Sequence, residues 1–149
     1  MKNLNSDCEF CRIISGNEES SIVFEDIDIM AIMDIQPVNT GVVLIISKTH
    51  IDHFCDIPDD LASKIFLLAQ KLSRVLMKKI KPLRVGYLVH GFGVSHAHLI
   101  VIPMNNSADV VSKKQLKIMN NEIIDDISLI ARPSRKELDK IANLLRKEL

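Results

Sequence analysis

Apolar positions recur along this chain with two different periods, and the switches between them mark out strands and helices. From Ile22 to Met33 the pattern predicts two short strands around a turn near Asp26 to Asp28, with Val23, Ile29, Ala31 and Met33 as inward or sheet-forming positions. Gly41 to Ser47, GVVLIIS, is nearly continuous, β-branched and too short for a helix. It predicts a strand covered on both faces. After Pro58-Asp59-Asp60 the period lengthens: Leu61, Ile65, Leu68, Leu72, Val75 and Leu76 return at helical spacing. This predicts the longest helix, running to about Lys81 and stopping before Pro82. Arg84 to Val89 and Val94 to Ile102 read as two antiparallel strands joined by His90-Gly91-Phe92-Gly93, whose glycines suit a tight reversal. Asn105 to Arg132 is weakly patterned, with a short helix expected near Lys113 to Asn121. From Ser134 to Leu149 a last helix is predicted, with Ser134 as N-cap, Glu137 three residues on, and Leu138, Ile141, Leu144 and Leu145 on one apolar face. Strands first, with helices between and after them, imply an α+β domain around one mainly antiparallel sheet.

Composition narrows the partners. At 149 residues the chain fits one domain, spanning residues 1–149, with a core large enough to need no disulfide. Lysine plus arginine equals aspartate plus glutamate, 19 against 19, so no charge footprint points to nucleic acid or an anionic membrane. No segment approaches the ~20 apolar residues that span a bilayer. The opening MKNLNSDCEF has no apolar stretch resembling a signal peptide, which predicts a cytoplasmic protein. In a reducing compartment the closely spaced Cys8 and Cys11 point to thiol or metal chemistry, whereas Cys55 alone carries little information.

Four features can carry chemistry, each with a plainer alternative. The Cys8-Glu9-Phe10-Cys11 spacing can wrap Zn²⁺ but needs two more ligands. Taken alone, His50 reads as a solvated loop residue, and Asp34, before Ile35-Gln36-Pro37, reads as the cap of a turn. His96 and His98 lie one residue apart in the apolar run VSHAHLIVIPM, so on a strand they share a face with Ile100. Two imidazoles on one buried face are costly without a partner or ligand, which makes this pair the strongest signal.

CEFCRIISG, FEDIDIMAIMDIQPVNTGVVLIISKTHI, the long helix and VSHAHLIVIP together resemble the histidine triad family along almost the full chain. That family's hallmark is three histidines alternating with apolar residues on one strand. Counting back from Pro103 places its three positions at His96, His98 and Ile100.

The resemblance implies a homodimer with one purine nucleotide site per subunit, acting at the α-phosphorus of phosphoramidates or dinucleoside polyphosphates. It implies that His98 is the nucleophile and that Asp34 contacts the ribose. Ile13, Phe24, Met33 and Ile35, with Ile32, would form an apolar slot for the base. It also implies structural zinc on Cys8, Cys11, His50 and His96. In this chain Ile100 replaces the third histidine, which normally contacts the phosphate, so slow chemistry is expected. A nucleotide-binding or scaffold protein with little turnover is the alternative. YLVHGFGVSHAH matches a short-loop branch of the family, with Ser95 where that branch carries proline. The Ser95 backbone can still reach the site. His90 is the other imidazole near it, either a replacement for the missing one or an exposed turn residue.

Overall fold

The computed structural model describes residues 4–110 and 115–149. A short helix α1 (Glu9–Ile14) precedes strands β1 (Ile22–Glu25), β2 (Ile29–Met33) and β3 (Val43–Ser47). Then come α2 (Asp59–Lys79), β4 (Arg84–Leu88), β5 (His98–Met104), a small hairpin β6 (Leu116–Met119) and β7 (Glu122–Asp125), and α3 (Arg135–Arg146). The main sheet has the order β1-β2-β3-β5-β4, with every neighbouring pair antiparallel. The α+β architecture is as the sequence pattern predicts.

The sheet has two covered faces. On one, Val23, Ile29, Ala31, Met33, Val43, Ile45, Leu99 and Val101 pack with Ile65, Leu68, Leu72 and Leu76 of α2 and Leu138, Ala142 and Leu145 of α3. On the other, Met30, Ile32 and Ile46 pack with Phe10, Cys11 and Ile13 of α1. Strand alternation sends neighbours to opposite faces, so β2 and β3 are buried on both sides. Helix α2 carries Asp59 and Asp60 in its first turn and Lys78 and Lys79 in its last, matching its macrodipole. Helix α3 begins with the capping box expected at Ser134 and Glu137.

Three boundaries differ from the sequence pattern. Strand β5 starts at His98 rather than Val94, and the connection from β4 runs irregularly from Val89 to Ala97 instead of reversing tightly. The reason is tertiary: the Ala97 N–H donates to the Ile51 carbonyl, 2.7 Å, and the His96 N–H to that of Val94, 2.8 Å, so this stretch cannot join the ladder. The helix expected near Lys113 to Asn121 is instead β6 and its turn; Lys113 and Lys114 lie outside the described residues. Asn120 and Asn121 both take positive φ, 53° and 62°, which is the two-residue hairpin turn that asparagine tolerates. Helix α1, only 6 residues long, is too short for the spacing of Phe10, Ile13 and Ile14 to predict it, and it brings Cys11 and its N-cap Cys8 to the sheet.

Candidate active site and metal centre

His96 and His98 sit at the entrance to β5, and different carbonyl oxygens orient them. The His96 Nε2–H donates to the Ser47 carbonyl, 2.9 Å, because a carbonyl can only accept. That leaves the Nδ1 lone pair facing Cys8 Sγ at 3.4 Å and Cys11 Sγ at 3.7 Å. His50 reaches the same point from the loop after β3, with its Nδ1 3.4 Å from Cys11 Sγ. Every ligand atom of Cys8, Cys11, His50 and His96 lies within 4.8 Å of the others.

The donor set suits a tetrahedral metal. Bonds of about 2.3 Å to sulfur and about 2.0–2.1 Å to nitrogen give nitrogen-to-sulfur edges of about 3.6 Å, close to the separations present. Burial pushes the Cys11 thiol above its usual pKa, and the adjacent Cys8 adds to the effect. A cation among these atoms would let both thiols ionise. Burial also lowers His96 to about 4, so its imidazole is neutral and its lone pair available at pH 7.

His98 has the opposite tautomer. Its Nδ1–H donates to the His96 carbonyl, 2.7 Å, which leaves the lone pair on Nε2. Burial lowers its pKa against the opposing pull of Asp34, so the ring is neutral. Phe10 stands edge-on to both imidazoles, with ring centroids 5.3 Å from His98 and 5.7 Å from His96. The sequence reading missed Phe10; its place between the two cysteines, as the apolar residue of a metal-wrapping turn, was the available signal.

Asp34 ends β2 with a carboxylate whose Oδ1 accepts the Gln36 N–H at 2.8 Å. The turn-cap role is therefore real, but it occupies one oxygen only. Burial raises the Asp34 pKa, and the Gln36 N–H and the nearby His98 oppose that rise. Ile13 and Ile32 line this side of the sheet, and Ile35 is partly exposed beside Asp34.

Phe24 and Met33 belong to the opposite face. Met33 follows Ile32 on β2 and so points the other way. A register shift between Ile22 and Phe24 turns Phe24 to the side of its partner Ala31, against the α2 and α3 core. Ser95 is exposed and lines a cavity of about 510 Å³ with Cys8, His50 and Arg12, beside the metal cluster rather than at His98. His90 is exposed and tilted against Phe92, ring centroids 5.2 Å apart, yet close enough to His98 to lower its pKa. Ile100, two positions along β5, shares the His98 face and sits between Leu44 of β3 and Leu88 of β4.

Known proteins share the sequence pattern and the fold. The "HIT domain" family matches residues 15–126. The chain is 33% identical over 108 residues to Protein hit of Bacillus subtilis (strain 168), covering 69% of this chain and 74% of that one. It is 33% identical over 114 residues to the adenosine 5'-monophosphoramidase HNT1 of Candida albicans, covering 70% of this chain and 74% of that one. The fold is also that of a zinc-bound histidine triad family protein from Mycobacterium smegmatis, with a TM-score of 0.70 at 24% identity over 95% of this chain and 91% of that one. Among the described residues, no helix is long and apolar enough to cross a membrane.

Proposed function

The chain belongs to the HIT domain family, and from that premise we propose that its single domain, residues 1–149, binds a purine nucleotide and cleaves a bond at the α-phosphorus. The substrate class is a nucleoside phosphoramidate or a dinucleoside polyphosphate. The observation that carries this reading is the hydrogen bond from His98 Nδ1–H to the His96 carbonyl. It leaves a neutral imidazole with its lone pair on Nε2, the state a nucleophile needs. In the first step this lone pair forms the N–P bond while the bond from phosphorus to the leaving group breaks, and the leaving atom keeps the electron pair and takes up a proton. Water then attacks phosphorus, the N–P pair returns to Nε2, and the water's proton passes to solvent.

Asp34 would meet the ribose hydroxyls with its second oxygen, Oδ2. Phe10, Ile13, Ile32 and Ile35 would clamp the base; Phe24 and Met33 support the strand from behind. Cys8, Cys11, His50 and His96 would hold a structural Zn²⁺, since two thiolates and two imidazoles leave no open position for substrate. When bound, zinc would fix α1, the His50 loop and the His96 carbonyl that orients His98. The phosphoramidase activity belongs to the Candida albicans relative and makes a phosphoramidate the first substrate to test.

A homodimer fits one feature of the surface. Strand β4 is an edge strand, with Leu83, Tyr87 and Val89 exposed along it and Phe66 of α2 packed edge-on to Tyr87. Light scattering at micromolar concentration should give twice the chain mass; the monomer mass alone would remove the dimer.

Ile100 favours a second reading, a nucleotide-binding protein with little turnover, because it stands at the position read as the third triad histidine and can donate no hydrogen bond. Mass spectrometry of the protein mixed with adenosine 5'-phosphoramidate separates the two. An adenylyl adduct on His98 supports the enzyme. Binding of the nucleotide without adduct or turnover supports the binding protein.

A further inference from the structure

Gln36 links two parts of the chain that are far apart in sequence. Its backbone N–H donates to Asp34 Oδ1, 2.8 Å, so the carboxylate and the Gln36 backbone form one turn. Its side-chain Nε2 donates to both the Ile127 and Ile130 carbonyls at 2.8 Å. Its Oε1 accepts from Arg132 Nε, 3.2 Å. Both amide protons and the amide oxygen are thus engaged, all by the segment between the β6–β7 hairpin and α3. Among the described residues that segment has few apolar anchors: Ile127 and Leu129 are exposed, and Ile130 is buried.

We infer that Gln36 is a positioning residue, clasping residues 127–132 onto the Asp34 turn so that Asp34 Oδ2 stays aimed at the nucleotide ribose; this rests on the reading of Asp34 as the ribose contact. The physical reason is that Asp34 has little else to hold its rotamer. Oδ1 is tied only through the Gln36 backbone, and Oδ2 has no protein partner among the described residues. A glutamine backbone free to move would let the carboxylate turn, and a carboxylate that turns loses the geometry of two hydroxyl contacts before it loses its charge. Holding the Gln36 side chain by three bonds removes that freedom in advance, which is preorganisation of a contact by a residue that does not touch the ligand.

The test is a ratio. Affinities for AMP and for 2',3'-dideoxy-AMP are measured by calorimetry on wild type, Gln36→Ala, Gln36→Glu and Asp34→Ala. The dideoxy compound lacks both hydroxyls, so the ratio isolates the ribose contact from folding, base and phosphate effects. Wild type should prefer AMP. Gln36→Ala should cut that preference about five-fold, the scale of one lost hydrogen bond. Gln36→Glu, of the same shape but facing two carbonyls with no N–H to offer, should do the same with the fold intact. If Asp34→Ala collapses the preference while both Gln36 variants keep the wild-type ratio, Gln36 is only a structural tie and the inference fails. If Asp34→Ala leaves the ratio unchanged, the ribose reading fails and the inference falls with it.

Discussion

His96 and His98 are separated by one residue and both buried, yet the structure prepares them for opposite tasks. His96 gives its Nε2 proton to the Ser47 carbonyl and turns Nδ1 toward two thiols. His98 gives its Nδ1 proton to the His96 carbonyl, which leaves its lone pair on Nε2. Strand alternation does not explain the difference, since only His98 lies in β5. The nearest backbone acceptor does, since it decides which ring nitrogen carries the proton. The two regions are also linked in series: the carbonyl that orients His98, the proposed nucleophile, belongs to His96, which is read as a metal ligand.

Removing each histidine's defining group should break the comparison in different ways, and the largest effect falls on His98. His98→Ala should reduce phosphoramidate turnover by about 10³-fold or more and abolish the adduct, because it removes the imidazole proposed as the nucleophile. The zinc proposed for the Cys8, Cys11, His50 and His96 cluster should be retained at the wild-type level. Residual turnover near wild type would end the nucleophile assignment.

Cys11→Ala acts on the other region. Losing one of four ligands should weaken metal affinity by more than ~100-fold, beyond the usual loss from an outer-shell change, and lower the melting temperature by roughly 5–10 °C. Turnover should fall as well, since the His96 carbonyl loses its anchor. Elemental analysis, calorimetry and a rate assay on one preparation check all three. Unchanged metal content would remove the cluster as the metal site.

These two regions were not equally legible in the sequence. Periodicity exposes whatever is regular: β1, β2, β3, α2 and the Ser134 capping box of α3 follow from local residue order. The stretch from Val89 to Ala97 does not, because its path is decided by contacts with Ile51 and Ser47, remote in sequence. The resemblance implies Phe24 for the base slot, and a bulge in β1, invisible in local residue order, turns it to the α2 and α3 face instead. The helix expected near Lys113 to Asn121 reflects the helical propensity of Lys, Gln, Leu and Met, which Asn120-Asn121 overrides by turning the chain. Gln36 gave no sign, since its partners are Ile127, Ile130 and Arg132.

Ile100→His sharpens the His98 side. Two positions along β5 from His98, the new imidazole shares its face and can donate toward the phosphate. Steady turnover of a phosphoramidate should rise about 10-fold, with nucleotide affinity changing less. Adding His98→Ala should erase the gain. No rise would show that the missing imidazole is not the limiting defect and would favour the binding protein. A wild type already as fast as the variant would direct attention to His90, which lies close enough to influence His98.

The smallest expected effect tests the tautomer argument itself. Ser47 presents two oxygens to His96: the backbone carbonyl at 2.9 Å and the side-chain Oγ at 3.3 Å from Nε2. The hydroxyl proton is directed elsewhere, to the Thr49 carbonyl at 2.6 Å. Ser47→Ala therefore deletes the longer contact and one loop hydrogen bond but keeps the carbonyl that holds the His96 proton on Nε2. The loss should be about 1 kcal/mol of stability, read as a fall of roughly 2–4 °C in melting temperature. Metal stoichiometry should remain one per chain, and the rate of adduct formation on His98 should change by less than about two-fold. If Ser47→Ala instead released the metal as Cys11→Ala does, the hydroxyl and not the carbonyl would be what selects Nδ1 of His96, and backbone acceptors alone would not explain why neighbouring histidines differ.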